Sequence, residues 1–483
     1  MTIIIVNASE GSIPSSSAPK LVEVPAEDIT ASLSGGSITY DHVKIVGDLS
    51  FDRAKYESIE ITNSIIEGNV SCIGNVFEGY FRFLNTSFLK NVTFFQVTFD
   101  READLNGSRF FGTANFNESM FLDGATFDHC NFYKEVYIKA ADLPKFGSFH
   151  EATFNREADF SISQFSGVYA NFERSRFLDN ASFTDIQFNT YTAFTDSRFL
   201  KKADFHGSSF SLGLTFSKAR ILGYCDFGRS EFGKQSLFNN MSFNNTANFI
   251  GSKFDGTSIF KGTQFWGNAY FTSVQFVGPS DFSYTLFDKN LFLNSSSVNT
   301  MVLNGCTFNK SSHLYLSKAN INRFMVEWSL IKDVIGFDSS AYLSLVKNYK
   351  DMGLDAADDC YYQYRYLSQG SKSWGLSKIL DMLACISCGY GVRPLNPIYC
   401  SLFLIALCTG ILWRGNALRR PSHMDKRTEL FDALYYVLAV FFTIPLPDLK
   451  AQGNFRYVAV FERALSWTLF ALLIATLGKV MIK

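Results

Sequence analysis

The residues with the clearest capacity for chemistry lie near the C-terminus, in Thr443, Ile444, Pro445, Leu446, Pro447 and Asp448. A threonine hydroxyl, main-chain carbonyls and a carboxylate are hard oxygen donors, the kind that stand in for water around a cation in a narrow opening. The two prolines force the backbone out of helix at that point. Before them the chain is apolar, and the fifteen residues from Ala433 to Pro447 carry no charge. That is shorter than the roughly 20 residues a membrane-spanning helix needs. The stretch is therefore expected to enter a bilayer and turn back, with its polar residues where the helix ends.

Other chemistry-bearing residues are weaker candidates. Cys385 and Cys388 have redox spacing but neither the strand-to-helix context of a thioredoxin site nor the second pair that zinc requires. The nine cysteines are scattered and odd in number, and they read as reduced core thiols. His129, beside Cys130, and the isolated His150 and His206 have no partner ligands at metal spacing and read as surface or corner residues. There is no nucleophile with a base and no phosphate-binding loop, so an enzyme is not expected, nor any cofactor or bound metal. A net charge of -1 gives no footprint for nucleic acid.

Elements that could position the polar segment flank it. Pro394 to Trp413 is an uncharged run between Arg393 and Arg414, long enough to span, with Trp413 at one interface. Phe455 to Ile482 makes a second span, with Glu462 and Arg463 near its start, where they can pair or reach the interface, and Lys479 at its end. Upstream, Leu376, Ile379, Leu380 and Leu383 form the apolar face of an amphipathic helix suited to a membrane surface. Further upstream, Tyr342, Leu345, Val346 and Tyr349, then Ala357, Tyr361, Tyr364 and Leu367, recur at helical spacing around Gly353. They predict a helical hairpin whose first helix Ser340 can cap.

The long N-terminal region follows a different code. The chain holds 51 Phe against 5 Trp, so one side chain has been chosen repeatedly for one structural job. Phe94, Phe99, Leu105, Phe110, Phe116, Phe121, Phe127 and Phe132 alternate steps of five and six residues, an eleven-residue period. The pattern degenerates around Tyr137 to Phe146, resumes at Phe149, slips once, and runs from Phe172 to Phe287 with Ile221 substituting. Two residues before each Phe sits a small residue, as in Ala114, Ala158, Ala203, Ser175 and Ser208. An eleven-residue period also suits a right-handed helical supercoil. The Gly, Asn, Ser, Thr and Asp between the anchors are poor helix formers and good turn formers, which leaves a β-solenoid. Four sides would take about 22 residues, giving about ten coils between Thr93 and Lys310 and a rod of roughly 48 Å at about 4.8 Å per layer. Residues before about Thr30 are aperiodic and are assigned no role.

The small-x-Phe units resemble the pentapeptide-repeat family, whose unit is A-(D/N)-(L/F)-x-x and whose fold is a right-handed quadrilateral β-helix. Some members of that family imitate DNA with a strongly acidic face, and the even charge balance along this repeat argues against that role here. Residues 394–483 are similar to two-transmembrane potassium channels and related tetrameric cation channels, on FDALYYVLAVFFTIPLPDL and the apolar helix ending ALLIATLGKV. On this resemblance Thr443 to Asp448 stand where those channels have T-V-G-Y-G-D. Both filter glycines are proline here, and proline cannot supply the left-handed dihedrals of a carbonyl ladder. Gly389-Tyr390-Gly391 matches the filter triplet by letter but precedes the first spanning helix and lacks a following acid, so it reads as a turn.

The organisation expected is an N-terminal lead over 1–37, a mainly β quadrilateral solenoid over 38–320, a helical hairpin over 338–370, an interfacial helix and turn over 376–393, and an α-helical two-transmembrane pore domain over 394–483. Within the last, the expected segments are a first span at 394–413, a re-entrant pore helix at 430–442, a filter at 443–448 and a second span at 457–482. The hairpin could shield the solenoid's open edge or couple it to the membrane part. The resemblance implies a homotetramer in a lipid bilayer passing monovalent cations without sharp discrimination between them. The alternative is a non-conducting membrane anchor whose rods display surfaces to a protein partner. The loop between the spans, with Arg414, Arg419, Arg420, Lys426 and Arg427, is more basic than the flanks, which by charge alone would place it inside. No secretory signal precedes the repeat, so the rods are nonetheless expected in the cytoplasm of a multi-pass cell-membrane protein.

Overall fold

A computed structural model describes residues 21–33, 36–419, 428–445 and 449–481. The chain divides into two compact units, one made of residues 1–315 and 319–326 and the other of residues 316–318 and 327–483.

The first unit is a four-sided β-solenoid. Short strands pair in parallel with the strand one turn later, and one face carries 14 strands in sequence, so the chain makes about 14 turns. The register is mostly 22 residues, as in Phe88 opposite Phe110 and Ala114 opposite Val136. Side chains alternate across each strand, so every turn sends its small and large anchors inward and the intervening polar residue outward. Equivalent residues then stack on themselves. Phe172, Phe194 and Phe216 lie ring on ring at 4.7 and 4.6 Å, and Phe183, Phe205 and Phe227 at 4.8 Å. Rings on adjacent sides meet edge to face, as Phe183 and Phe194 do at 5.3 Å, the second favoured geometry for aromatic pairs.

The ladder does not break around residues 137–146. Ile138 and Leu143 take the inward places and are fully buried, while Phe146 faces out and stacks on Tyr169 at 5.5 Å. The slipped step is an inserted residue near Gly167 and Val168, where the pairing offset lengthens from Thr126 opposite Ser148 to Ser148 opposite Asn171. The small inward positions also bond. At several of the Ser and Thr positions the hydroxyl donates to the carbonyl of the turn before, as Ser230 does to Phe205 (2.7 Å) and Thr285 to Phe260 (2.8 Å), while Ser175 donates to Phe172 in its own turn (2.7 Å). These hydroxyls satisfy carbonyls that no water can reach.

Residues 22–33, which show no sequence pattern, form a strand, Val22–Pro25, parallel to Val43–Val46, and helix α1, Ala26–Leu33. Helix α1 buries Ala26, Ile29 and Leu33 against the first turn. The five-residue sides turn through a left-handed residue two places after the inward Phe, often not glycine: Glu118, His129, Asp185 and Lys218 all have φ between 54° and 62°. His129 is thus a corner residue, as the sequence suggested. Ile162 occupies the same position with φ 62° and is exposed. A β-branched side chain pays a steric penalty there, and a polar residue tolerant of the left-handed region would not.

In the second unit, α2 (Trp328–Ile331) leads into the hairpin of α3 (Ser339–Asp351) and α4 (Ala356–Gly370), with Gly353 at φ 68° between them. Tyr342, Leu345, Val346 and Tyr349 are buried as the spacing predicts. The cap is Asp338 and not Ser340: the Ala341 amide donates to Asp338 Oδ1 at 3.0 Å, and Ser340 lies inside the first turn with its hydroxyl bonded to Asp338. Helices α5 (Leu376–Cys388), α6 (Leu395–Arg414), α7 (Leu430–Phe441) and α8 (Phe455–Met481) complete the unit.

All nine cysteines are free. Burial pushes the thiols of Cys72, Cys130 and Cys225 well up, and that of Cys306 to about 12, so they are inert at neutral pH.

Replacing Ile162 by Asn is expected to stabilise the protein by about 1 kcal/mol, since strain is relieved and no buried contact is lost. Phe205→Ala, which interrupts a ring stack, should cost about 3–5 kcal/mol. Thermal unfolding of the full-length protein followed by circular dichroism measures both.

Candidate pore domain

Helices α6 and α8 are each long and apolar enough to cross a membrane, whereas α7 has 12 residues. At about 1.5 Å per residue α7 reaches only part-way through a hydrocarbon core of about 30 Å. One face of α7 is buried, with Ala433, Tyr436, Val437 and Val440 packed on Leu404, Cys408 and Leu412 of α6 and on Leu469 of α8. Its other face is open, and Phe431 is 79% exposed.

The C-terminal end of α7 falls on the first of the expected filter residues. The Thr443 amide donates to Val440 O at 3.2 Å and the Ile444 amide to Ala439 O at 2.7 Å. This pair of bonds closes a helix through one left-handed residue, usually glycine. Here that residue is Thr443, at φ 57°. A β-branched residue in this conformation is rare and strained. Thr443, Ile444 and Pro445 are exposed, so the helix's negative dipole end and a threonine hydroxyl are presented together. Leu446, Pro447 and Asp448 lie outside the described residues, as do Arg420, Lys426 and Arg427 of the basic loop.

Both ends of the surrounding loops are tied by contacts that local sequence does not announce. Leu418–Arg419 pairs antiparallel with Lys450–Ala451. The Thr428 amide donates to Asn416 Oδ1 at 2.6 Å, the Leu418 amide to Thr428 Oγ1 at 3.2 Å, and the Gln452 amide to Ala417 O at 2.9 Å. The end of α6, the start of α7 and the start of α8 are thereby fastened at one level. Asn416, two residues after the end of α6, adopts φ 49°, a left-handed conformation that asparagine tolerates at helix ends.

Of the two placements the sequence leaves open for Glu462 and Arg463, pairing with each other or reaching the interface, the first is not formed. Successive residues on a helix point about 100° apart, and α8 turns Glu462 inward while Arg463 is exposed. Glu462 is 0% exposed, and among the described residues neither carboxylate oxygen has a hydrogen-bond partner.

Helix α5 exposes Leu376, Ile379, Leu380, Leu383 and Ile386. Its polar side is clamped to α4 through Asp381, which is bound by Arg365 at 2.8 Å and by Lys372. Tyr390, left-handed at φ 57°, donates to Gln369 Oε1 at 2.6 Å, and Arg393 pairs with Asp359 at 2.7 Å. Gly389–Gly391 is thus a single turn linking α5 to α6, as its sequence setting implied. Among the described residues no group of three or more His, Cys, Asp or Glu could hold a metal ion.

Residues 387–483 match the family model described as ion channel, and residues 238–286 match the one for pentapeptide repeats. The chain joins a pentapeptide-repeat solenoid to an ion-channel domain. The channel match takes in α6, α7 and α8 and the segment that follows α7. The pentapeptide match covers nine copies inside the Phe-stacked region. No curated protein and no solved structure matches the chain.

The Asp381 clamp has a defined pH signature. The Lys372 ammonium, and then Arg365, hold its carboxyl below the usual aspartate range. A lowered folded-state value means the stabilisation is fully present above the unfolded value of about 3.9 and is lost as pH falls through the folded one. With its side chain only 13% exposed, Asp381→Asn should remove about 1–2 kcal/mol at neutral pH. Limited proteolysis at Lys372 and Lys378 should then become faster at pH 7, and the difference from the unsubstituted protein should vanish in acid.

Proposed function

We propose that the protein is a cation channel in which several copies, four by the resemblance of its C-terminal domain, surround one pore. The observation that carries this reading is a 12-residue apolar helix, too short to span, packed between two membrane-length helices and ending on an exposed Thr443. A polar helix end placed at membrane depth is stable only where it lines a wet cavity. One such helix cannot enclose a pore, so the domain calls for further copies.

In this reading a ring of α7 C-terminal ends attracts cations, Thr443 supplies hydroxyl or carbonyl oxygens, and Asp448 supplies an acidic ring at the outer mouth. Ile444, Pro445, Leu446 and Pro447 form the rest of the constriction. Pro445 and Pro447 prevent the four-site carbonyl ladder that potassium selectivity needs, so potassium and sodium should pass comparably. The solenoids lie in the cytoplasm as sensor or scaffold for the pore. No further cofactor is called for.

Full-length protein reconstituted in liposomes, recorded under potassium, sodium and chloride gradients, should give cation current with little preference between potassium and sodium. Asp448→Asn should shift the reversal potential toward anion permeability, and Thr443→Ser should conduct better than Thr443→Val. Strong potassium selectivity would overturn the assignment of the filter. Absence of current from folded, oligomeric protein would favour the scaffold reading, in which the helices only anchor the rods.

A further inference from the structure

The in-register stacking of the solenoid repeats whatever stands outward as faithfully as it repeats Phe. On one side the motif Arg-Phe/Ile-Leu recurs in three consecutive turns, as Arg176-Phe177-Leu178, Arg198-Phe199-Leu200 and Arg220-Ile221-Leu222. Arg176 lies opposite Arg198 and Arg198 opposite Arg220 in the parallel ladder. Three guanidinium groups are therefore rooted one strand apart, about 4.8 Å. All three are exposed. The run is bounded, because Thr153 precedes it and Ser242 follows it in the same column.

The adjoining corner adds Arg174 and Lys218, with Asp196 between them, at φ 56°, 62° and 58° respectively. Together with Asn240 these side chains line a groove of about 470 Å³. Five cations face one carboxylate. Arg174 pairs with Glu151 at 3.1 Å, but among the described residues Arg176, Arg198, Arg220 and Lys218 have no carboxylate within ion-pair distance. Elsewhere on the solenoid some lysines do find neighbours in this way, as Lys44 finds Glu23 and Glu67, and Lys201 finds Asp179.

We propose that this groove is a binding site for a compact polyphosphorylated anion. Arginine presents a planar fork of donors matched to phosphoryl oxygens, and three forks one strand apart can each engage a different phosphate of one small molecule. An acidic protein strand fits less well, because its side chains recur on one face only every two residues, about 6.6 Å. Asp196 works against loosely held single anions while leaving the arginine column free. The same phosphates could be free in solution or be carried on a lipid headgroup, and the column of Leu178, Leu200 and Leu222 beside the arginines would favour the lipid.

The test uses full-length protein in nanodiscs of zwitterionic lipid, with inorganic tripolyphosphate as probe in calorimetry. Saturable binding is expected, weakened about tenfold or more by Arg198→Gln and partly restored by Arg198→Lys. Arg109→Gln, in the same column but three strands before Arg176, should change nothing, and no variant should shift thermal unfolding. Competition by short-chain phosphatidylinositol bisphosphate and by its soluble headgroup separates the sources. Equal potency points to a soluble ligand, and a tenfold advantage for the lipid, lost in Leu200→Ser, points to a lipid. No saturable binding, equal weakening by Arg109→Gln, or displacement by poly-glutamate as readily as by phosphate would overturn the proposal.

Discussion

Every feature of the N-terminal unit depends on the parallel pairing of each short strand with the one a full turn later. At strand spacing, identical side chains come within stacking distance of themselves, so the chain's choice of Phe is a choice of long runs of stacked rings, interrupted where Ile138, Leu143 and Ile221 take inward places. A phenylalanine there buries its whole side chain against rings above, below and to the sides, and no polar atom needs a partner. The small residue two places earlier makes room for the ring. At several turns where it is Ser or Thr, as at Ser230 and Thr285, it also fastens one turn to the turn before through a hydroxyl bond.

The same register has consequences outside. A solenoid has little freedom to separate like charges on successive turns, because their strands fix the spacing. At some positions that constraint is met by pairing a cation with a carboxylate one turn away, as for Lys44, Lys145 and Lys201. Where it is not met, as at Arg176, Arg198 and Arg220, the uncompensated column is a local property of three turns rather than of the whole repeat. The corner positions show a related tension: the turn demands a left-handed residue at each five-residue side, and the chain supplies Ile162 and Tyr284 there as well as Asn240 and Gly262.

In the membrane part the governing constraint is that backbone groups in hydrocarbon must be satisfied within the chain. Helix α7 meets it at its C-terminal end by two amide bonds back into its last turn, using Thr443 where glycine is usual. The antiparallel pair between Leu418–Arg419 and Lys450–Ala451 then holds the two loops around α7 to each other, so the position of Thr443 relative to α6 and α8 is set by tertiary contacts on both sides.

The periodicity of Phe, its small partner two residues earlier and the turn-forming residues between them determined the solenoid, because each is a local rule repeated many times. Length and hydropathy determined α6 and α8, and the apolar run too short to span determined α7. Three kinds of information were absent from local sequence. Ile138 and Leu143 fill inward places that only the neighbouring turns define. Asp338, not Ser340, caps α3, because the start of the helix depends on which carboxylate the turn brings to the Ala341 amide. Glu462 faces inward without Arg463, because the packing of α8 on α6 and α7 decides which side of a helix is inside. Contacts between residues far apart in the chain follow from the folded register, and the tertiary structure alone supplies it.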